Sequence, residues 1–258
     1  MCRRGGIFLT QWRKDLRMFI LALLALLLWT LPWVGYGAAC LRHQRPAARP
    51  VGGAAETRYV ALTFDDGPRR ETTTLLLDGL AQRGVHATFF IIGTRVEGRE
   101  DILLRIAEEG HQIGIHTQNH KVLSDLNTAE LAVEVDGLAD TLTALLGQKE
   151  FMLRPPYGMT GGTLLKWTKC PIILWSVDPE DWADHDVERQ VAAVVSSVKD
   201  GDIILLHDIY HASVETALRV VDALLAEGYC FVTVEELFAV RGMVPELGKE
   251  YRSLPVDN

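Results

Sequence analysis

The ionisable side chains of this chain that could do chemistry together fall in five short stretches. "TFDDGP" (63–68) sets Asp65 beside Asp66 after an apolar run and before a Gly-Pro turn, and "HTQNH" (116–120) spaces His116 and His120 four apart. "RPPYG" (154–158) ties Arg154 to a proline-stiffened turn, "WSVDPEDW" (175–182) carries Asp178, Asp181 and Trp182, and "ILLHD" (204–208) ends in His207 and Asp208. Adjacent carboxylates repel, so the aspartate pair asks for a cation or for a division of roles. Histidines at i, i+4 on a helical turn share a face, close enough for one metal ion. With one carboxylate from the pair they form a two-His, one-carboxylate set that leaves positions open for water and substrate. That set suits Zn²⁺ or another divalent ion, and it also serves Fe(II) oxygenases.

Along an extended strand successive side chains point to opposite sides, so one aspartate can ligate while the other faces the ion's water. A metal lowers the pKa of such a water towards ~7, and a free carboxylate can take its proton during attack on a carbonyl. His207 can protonate a leaving amine if a carboxylate holds its ring, and Asp181 is the candidate. Arg154 is a fixed cation able to pair with a buried carboxylate, and the turn at Pro155 and Pro156 can present a backbone N–H to an oxyanion. Trp182 adjoins this cluster as a wall on which a sugar ring can stack. Each feature alone has a plainer reading: a strand-end cap, a surface ion pair, a core tryptophan. Five strand ends equipped in this way weigh against all of those readings at once.

Those residues need elements to position them, and the chain supplies a regular alternation. "YVALTF", "ATFFIIG", "QIGIHT", "FMLR", "PIILWSV", "DIILLH" and "CFVTV" are short β-prone runs. Helical patterns lie between them, at 71–83, 101–109, from Asn127 to Gly147, at 187–199 and at 213–227. Asn127 followed by Glu130 is a capping pattern, and Gly84, Gly110, Gly147, Gly201 and Gly228 fall where left-handed helix caps are needed. Apolar strands unbroken by polar alternation imply a parallel sheet covered by helices. About seven such units usually close into a barrel, with all the strand ends named above on one face. That alternation argues against the oxygenases, which usually sit on double-stranded β-helix barrels.

The first 17 residues hold five basic side chains and one acid, and the remainder carries 21 basic against 33 acidic residues. So acidic a body offers no electrostatic footprint for nucleic acid. Residues 18–40 form an uncharged, apolar stretch, long enough for a bilayer and flanked by cations on its N-terminal side. It is expected to be a membrane anchor or a secretion signal, with the domain on the outer face of the membrane or released. Residues 41–56, rich in Pro, Gly, Ala and Arg, read as a linker. Cys170 and Cys230 have no metal or redox spacing and are expected as separate thiols, although outside a cell they can also pair.

The five motifs, in this order and at these separations, resemble those of the polysaccharide deacetylases of carbohydrate esterase family 4, the NodB homology domain. The resemblance covers residues 58–241, nearly the whole body, with the catalytic domain drawn at 57–242 and a short tail at 243–258. It implies a distorted (β/α) barrel of seven or eight parallel strands and metal-dependent deacetylation of an N-acetylglucosamine polymer, peptidoglycan first. A chitin oligosaccharide deacetylase, an acetylxylan esterase and a non-catalytic glycan-binding wall protein are the alternatives, and no protein partner is expected. By position, Asp65 becomes the general base and Asp66, His116 and His120 the ligands of one divalent ion: Zn²⁺, or else Co²⁺, Ni²⁺ or Mn²⁺. His207 becomes the general acid, oriented by Asp181. Arg154 positions the carboxylates, the Tyr157 N–H serves the oxyanion, and Pro156, Tyr157 and Trp182 face the sugar.

Overall fold

The computed structural model describes residues 57–255. The leader, the apolar stretch and the linker lie outside these residues, and so does the expected membrane segment. Among the described residues no helix is long and apolar enough to cross a membrane.

Strand β1 (Arg58–Asp65) leads into helix α1 (Arg70–Arg83), β2 (Thr88–Ile91) into α2 (Glu100–Glu108), and β3 (Gln112–Ile115) into α3 (Thr128–Leu131) and α4 (Gly137–Leu146). There follow α5 (Leu164–Trp167), β4 (Ile172–Ile173), α6 (Val187–Ser197), β5 (Ile203–His207), α7 (His211–Ala226), β6 (Tyr229–Val232), α8 (Val234–Val240) and β7 (Glu250–Tyr251). Every named strand pairs in parallel. The order is β3-β2-β1-β5, with β6 beside the first half of β1 and β2 beside its second half. Single bridges carry the ring onward from β3, Ile115 to Leu153 and Leu153 to Ile172, and Val177 meets Ile204 of β5 to close it.

The expected strands at "FMLR" and "PIILWSV" are thus reduced to one bridge residue and a two-residue β4. Proline cannot donate to a ladder, and Pro155, Pro156 and Pro171 bound these runs. The barrel is therefore thin on that side, which is its distortion. The tail, which the sequence leaves without a role, contributes β7 beside β4 and buries Tyr251 and Leu254.

Alternation along the strands sorts two cores. Val60, Leu62 and Phe64 of β1, Phe89 and Ile91 of β2, and Ile204 and Leu206 of β5 pack under the helices with Leu76, Leu80, Val220 and Leu224. The opposite faces turn Ala61, Phe90, Ile173, Ile203 and Val232 into the barrel, joined there by Phe238 and Tyr251. Burying each such side chain contributes about 1.5–3 kcal/mol, so the helix-side layer dominates the stability. The capping box of Asn127 and Glu130 forms as expected. The five expected glycines all adopt positive φ, between 61° and 86°.

Gly201 is the most constrained of these. Its N–H donates to Tyr59 O and its carbonyl accepts from Leu254 N, both at 2.7 Å, so it stitches the tail to β1. At φ 86° an added Cβ would lie 2.2 Å from Leu254 O. Gly201→Ala is expected to lower the unfolding free energy by about 1–3 kcal/mol, read as a reduced urea midpoint at unchanged slope.

Candidate active site

Strand register brings the first residues of the site together. Asp65 sits level with His207 on one side and Phe90 on the other. Asp65 and Thr63 point into the barrel, and Arg154 rises to meet them, fully buried. Its Nη1 donates to Asp65 Oδ1 and Thr63 Oγ1, both at 2.8 Å, Nε to Ile173 O at 3.1 Å and Nη2 to Leu174 O at 3.0 Å. The guanidinium lies over the Phe90 ring at 4.2 Å. Burial pushes its pKa down while Asp65 pulls it back up. Breaking such a pair from one side costs about 3–5 kcal/mol, because the remaining charge stays buried.

Asp66 lies beyond the strand. The sequence reading separates the two aspartates by the pleat of a strand. The structure does it with a left-handed turn, φ 72° at Asp66, which swings the second carboxylate away from Arg154. The i, i+4 histidines are likewise not on a helical turn. Thr117 (φ 68°) and His120 (φ 57°) are left-handed, and this irregular loop folds the two rings to a centroid distance of 5.0 Å. The expected convergence is present, by a different backbone route.

Asp66, His116 and His120 fit a metal ion. Asp66 Oδ1 is buried without a hydrogen-bond partner, 3.5 Å from His116 Nε2 and 3.3 Å from His120 Nε2. Ligand atoms about 2.1 Å from a tetrahedral ion stand about 3.4 Å apart, close to both spacings. The His116 Nδ1 lies 2.7 Å from Arg154 O, which can only accept, so Nδ1 carries the proton and the Nε2 lone pair faces Asp66. Burial and the neighbouring His116 lower the pKa of His120, favouring the neutral, ligating form. Asp65 Oδ2, the oxygen not paired with Arg154, is 3.7 Å from His116 Nε2.

Across the site Asp181, fully buried, grips His207 twice, from the backbone N–H and from ring Nδ1, each at 2.8 Å. Burial disfavours the imidazolium, but the hydrogen bond and charge of Asp181, with Asp65 and Asp66 beyond, outweigh it and raise the pKa to about 9. Tyr157 is exposed at φ 61° and sets its ring against His120 at 4.9 Å, whereas Pro156 behind it is buried. Trp182 is 56% exposed beside Asp181. Asp178 is half-buried, and burial raises its pKa. Cys170 and Cys230 are separate free thiols, both raised by burial.

Comparison with known proteins agrees with this geometry. Residues 52–169 match the family model described as polysaccharide deacetylase, a stretch that holds the aspartate pair, both histidines and Arg154. The chain is 38% identical over 184 residues to the peptidoglycan-N-acetylmuramic acid deacetylase PdaC of Bacillus subtilis, covering 71% of this chain and 39% of that one. It is 39% identical over 189 residues to a peptidoglycan-N-acetylglucosamine deacetylase of Bacillus cereus, covering 70% of this chain and 88% of the relative. The chain belongs to the polysaccharide deacetylase family. The fold agrees: a family 4 acetyl xylan esterase from Clostridium thermocellum in complex with a cobalt ion superposes with a TM-score of 0.73 at 31% identity, over 77% of this chain and all of that one. The chain spans about two fifths of the length of PdaC.

Two carboxylates at this polysaccharide deacetylase site have no role in the motif reading, which names Asp208 only as a strand-end acid and omits Glu134. Asp208 is buried beneath the aspartate turn, where a Cβ on Gly67 would meet its carboxylate at 2.5 Å. Thr73 Oγ1 donates to Oδ2, Oδ1 has no partner, and burial raises the pKa to about 7. Its neighbour His207 was the available signal. The second, Glu134, takes a buried position on a helix face whose other members are Leu131, Val135, Leu138 and Leu142. A charge on an apolar stripe was the signal there.

The Asp181–His207 pair stabilises the folded state fully below pH about 6.5, the ordinary histidine value, and that contribution fades as pH rises through about 9. In the metal-free protein an NMR titration of the His207 ring is expected to give an apparent pKa near 9. Asp181→Asn should lower it by about 1–3 pH units, and an unmoved titration would dissociate the two residues.

Proposed function

We propose that this chain is a metal-dependent deacetylase that hydrolyses the N-acetyl groups of N-acetylglucosamine units in a polysaccharide, peptidoglycan before chitin oligosaccharides. One observation carries the reading: the two adjacent aspartates diverge, Asp65 onto Arg154 and Asp66 towards the two histidines. The relatives named for peptidoglycan deacetylation support the substrate. Asp66, His116 and His120 would hold a divalent ion, Zn²⁺ first among the candidates, which would supply Lewis acidity to the attacking water and the acyl oxygen. The cobalt ion of the esterase neighbour supports a metal in this family's fold.

The remaining steps belong to the chain's own residues. Arg154 engages Asp65 through Oδ1, which leaves Oδ2 to accept a proton from the attacking water. The Tyr157 N–H donates to the developing oxyanion. An amide nitrogen leaves only when protonated, and His207 delivers that proton from Nε2 while Asp181 fixes Nδ1–H. Trp182 and the Tyr157 ring, both exposed, offer apolar faces to the sugar, with Pro156 stiffening the turn beneath. The likeness to the acetyl xylan esterase favours ester hydrolysis as a second reading of the same machinery.

The cationic leader and apolar stretch at 18–40 support an exported domain, anchored in the membrane or released, next to a wall polymer. Its acidic body fits a neutral or mixed-charge glycan. On purified peptidoglycan, chitin oligomers and acetylated xylan, acetate release is expected to be fastest on peptidoglycan, with mass mapping placing the free amines on glucosamine. A chelator should abolish it and Zn²⁺ restore it, and release indifferent to the chelator would contradict the proposal. His207→Ala is expected to lower kcat by about 10²–10⁴-fold, and an unchanged kcat would remove it as the acid.

A further inference from the structure

The loop that carries both histidines holds an unfavourable backbone. Thr117 and His120 are left-handed at φ 68° and 57°, and for a β-branched threonine that region is strongly disfavoured. Such a loop persists only where its surroundings over-determine it. On one side the restraint is main-chain: Gly93 N donates to Thr117 O at 3.0 Å and Thr94 N to Gln118 O at 2.9 Å. On the other side it is a single residue. Glu134 accepts Gln118 N–H on its carbonyl at 2.8 Å, Asn119 N–H on Oε2 at 2.8 Å and Asn119 Nδ2 on Oε1 at 2.9 Å. Lys121 Nζ adds an ion pair to Oε1 at 3.1 Å. Three consecutive loop positions just before the second histidine, and the one just after it, are thereby fixed; only His120 itself between them is free to face Asp66.

Glu134 reaches them from a π-helical turn, Ala132–Asp136, set between α3 and α4. A π-turn locally rewinds a helix and is most often found at functional sites. Here it delivers a carboxylate, with no exposed side-chain surface, to a position on an apolar stripe. A leucine there would cost far less to bury. Burial pushes the Glu134 pKa up, but the two Asn119 bonds and Lys121 outweigh it and hold it below the ordinary value, so the group is a charged acceptor.

We infer that Glu134 is a positioning residue of the metal centre: it clamps Gln118, Asn119 and Lys121 so that His116 and His120 stand pre-arranged around the ion. The inference rests on the metal-site reading above. It links a bend in a helix outside the barrel to the affinity of the site.

The test is Zn²⁺ affinity of the full chain, by competition with a chromogenic chelator, for Glu134→Ala, Glu134→Gln, His120→Ala and Leu142→Ala. Glu134→Ala is expected to weaken Zn²⁺ by about 10–100-fold, as loss of a ligand's outer support does. Glu134→Gln, which can still accept the Asn119 N–H, should stay within about threefold of the parent. Leu142→Ala removes a buried core side chain about two turns further along the same helical segment, with no hydrogen-bonding group to offer the loop. It should lower Tm and leave the affinity alone. If Glu134→Ala yields no soluble protein, Glu134→Asp, which withdraws the charge by one methylene, is read in its place with the same expected weakening. The inference is overturned if Glu134→Ala binds within about twofold of the parent, or if Leu142→Ala weakens Zn²⁺ equally. His120→Ala separates the two readings: if it keeps a stoichiometric ion, the metal site itself is wrong; if it loses the ion while Glu134→Ala does not, only the role of Glu134 falls.

Discussion

A guanidinium with no exposed surface sits inside this barrel, and the site is arranged around it. Arg154 spends its hydrogen bonds on Asp65, Thr63 and the carbonyls of Ile173 and Leu174, so one side chain binds β1 to the thin side of the ring. Its own carbonyl takes the His116 Nδ1 proton. Through these contacts the same residue sets the direction of Asp65 and the tautomer of His116. Taking the ion pair out of water is costly, and a purely apolar core would be cheaper. What the pair provides is a carboxylate with one oxygen engaged by Arg154 and the other turned away from it.

The opposite wall repeats the principle with the signs exchanged. Asp181 is buried to hold His207 protonated, as Arg154 is buried to hold Asp65 in place. A carboxylate and an imidazole level with each other on adjacent strands are thus each held by a buried partner of opposite charge. The candidate metal trio, Asp66, His116 and His120, lies just beyond the strand ends, on loops rather than strands. Its precision therefore depends on the contacts that fix those loops.

Much of this was legible in the sequence, because strand ends of a parallel barrel share a face and because glycine caps and the Asn127 box punctuate the helices. The chemistry-bearing residues could be gathered from residue type and placement alone. The backbone that brings them together could not. Asp66, Thr117, His120 and Tyr157 are all left-handed without being glycine, and no local propensity announces that. Their conformations are imposed by distant partners such as Gly93 and Glu134. For the same reason the strands at Leu153 and Ile172 were read as longer than they are, and the tail strand Glu250–Tyr251 was missed. Both depend on pairing across the fold. The assignment of base and ligand within the aspartate pair came from family resemblance; what the geometry adds is that Asp65, and not Asp66, bonds the buried arginine.

That division of roles is the centre of the account, and Asp65→Asn addresses it most directly, with metal content and acetate release measured on the same preparation. The substitution keeps the shape and one acceptor for Arg154 but removes the proton-accepting charge. The account predicts one equivalent of metal retained and acetate release lowered by about 10²–10⁴-fold. Acetate release near the parental rate, or loss of the ion with Asp65→Asn while Asp66→Asn retains it, would contradict it.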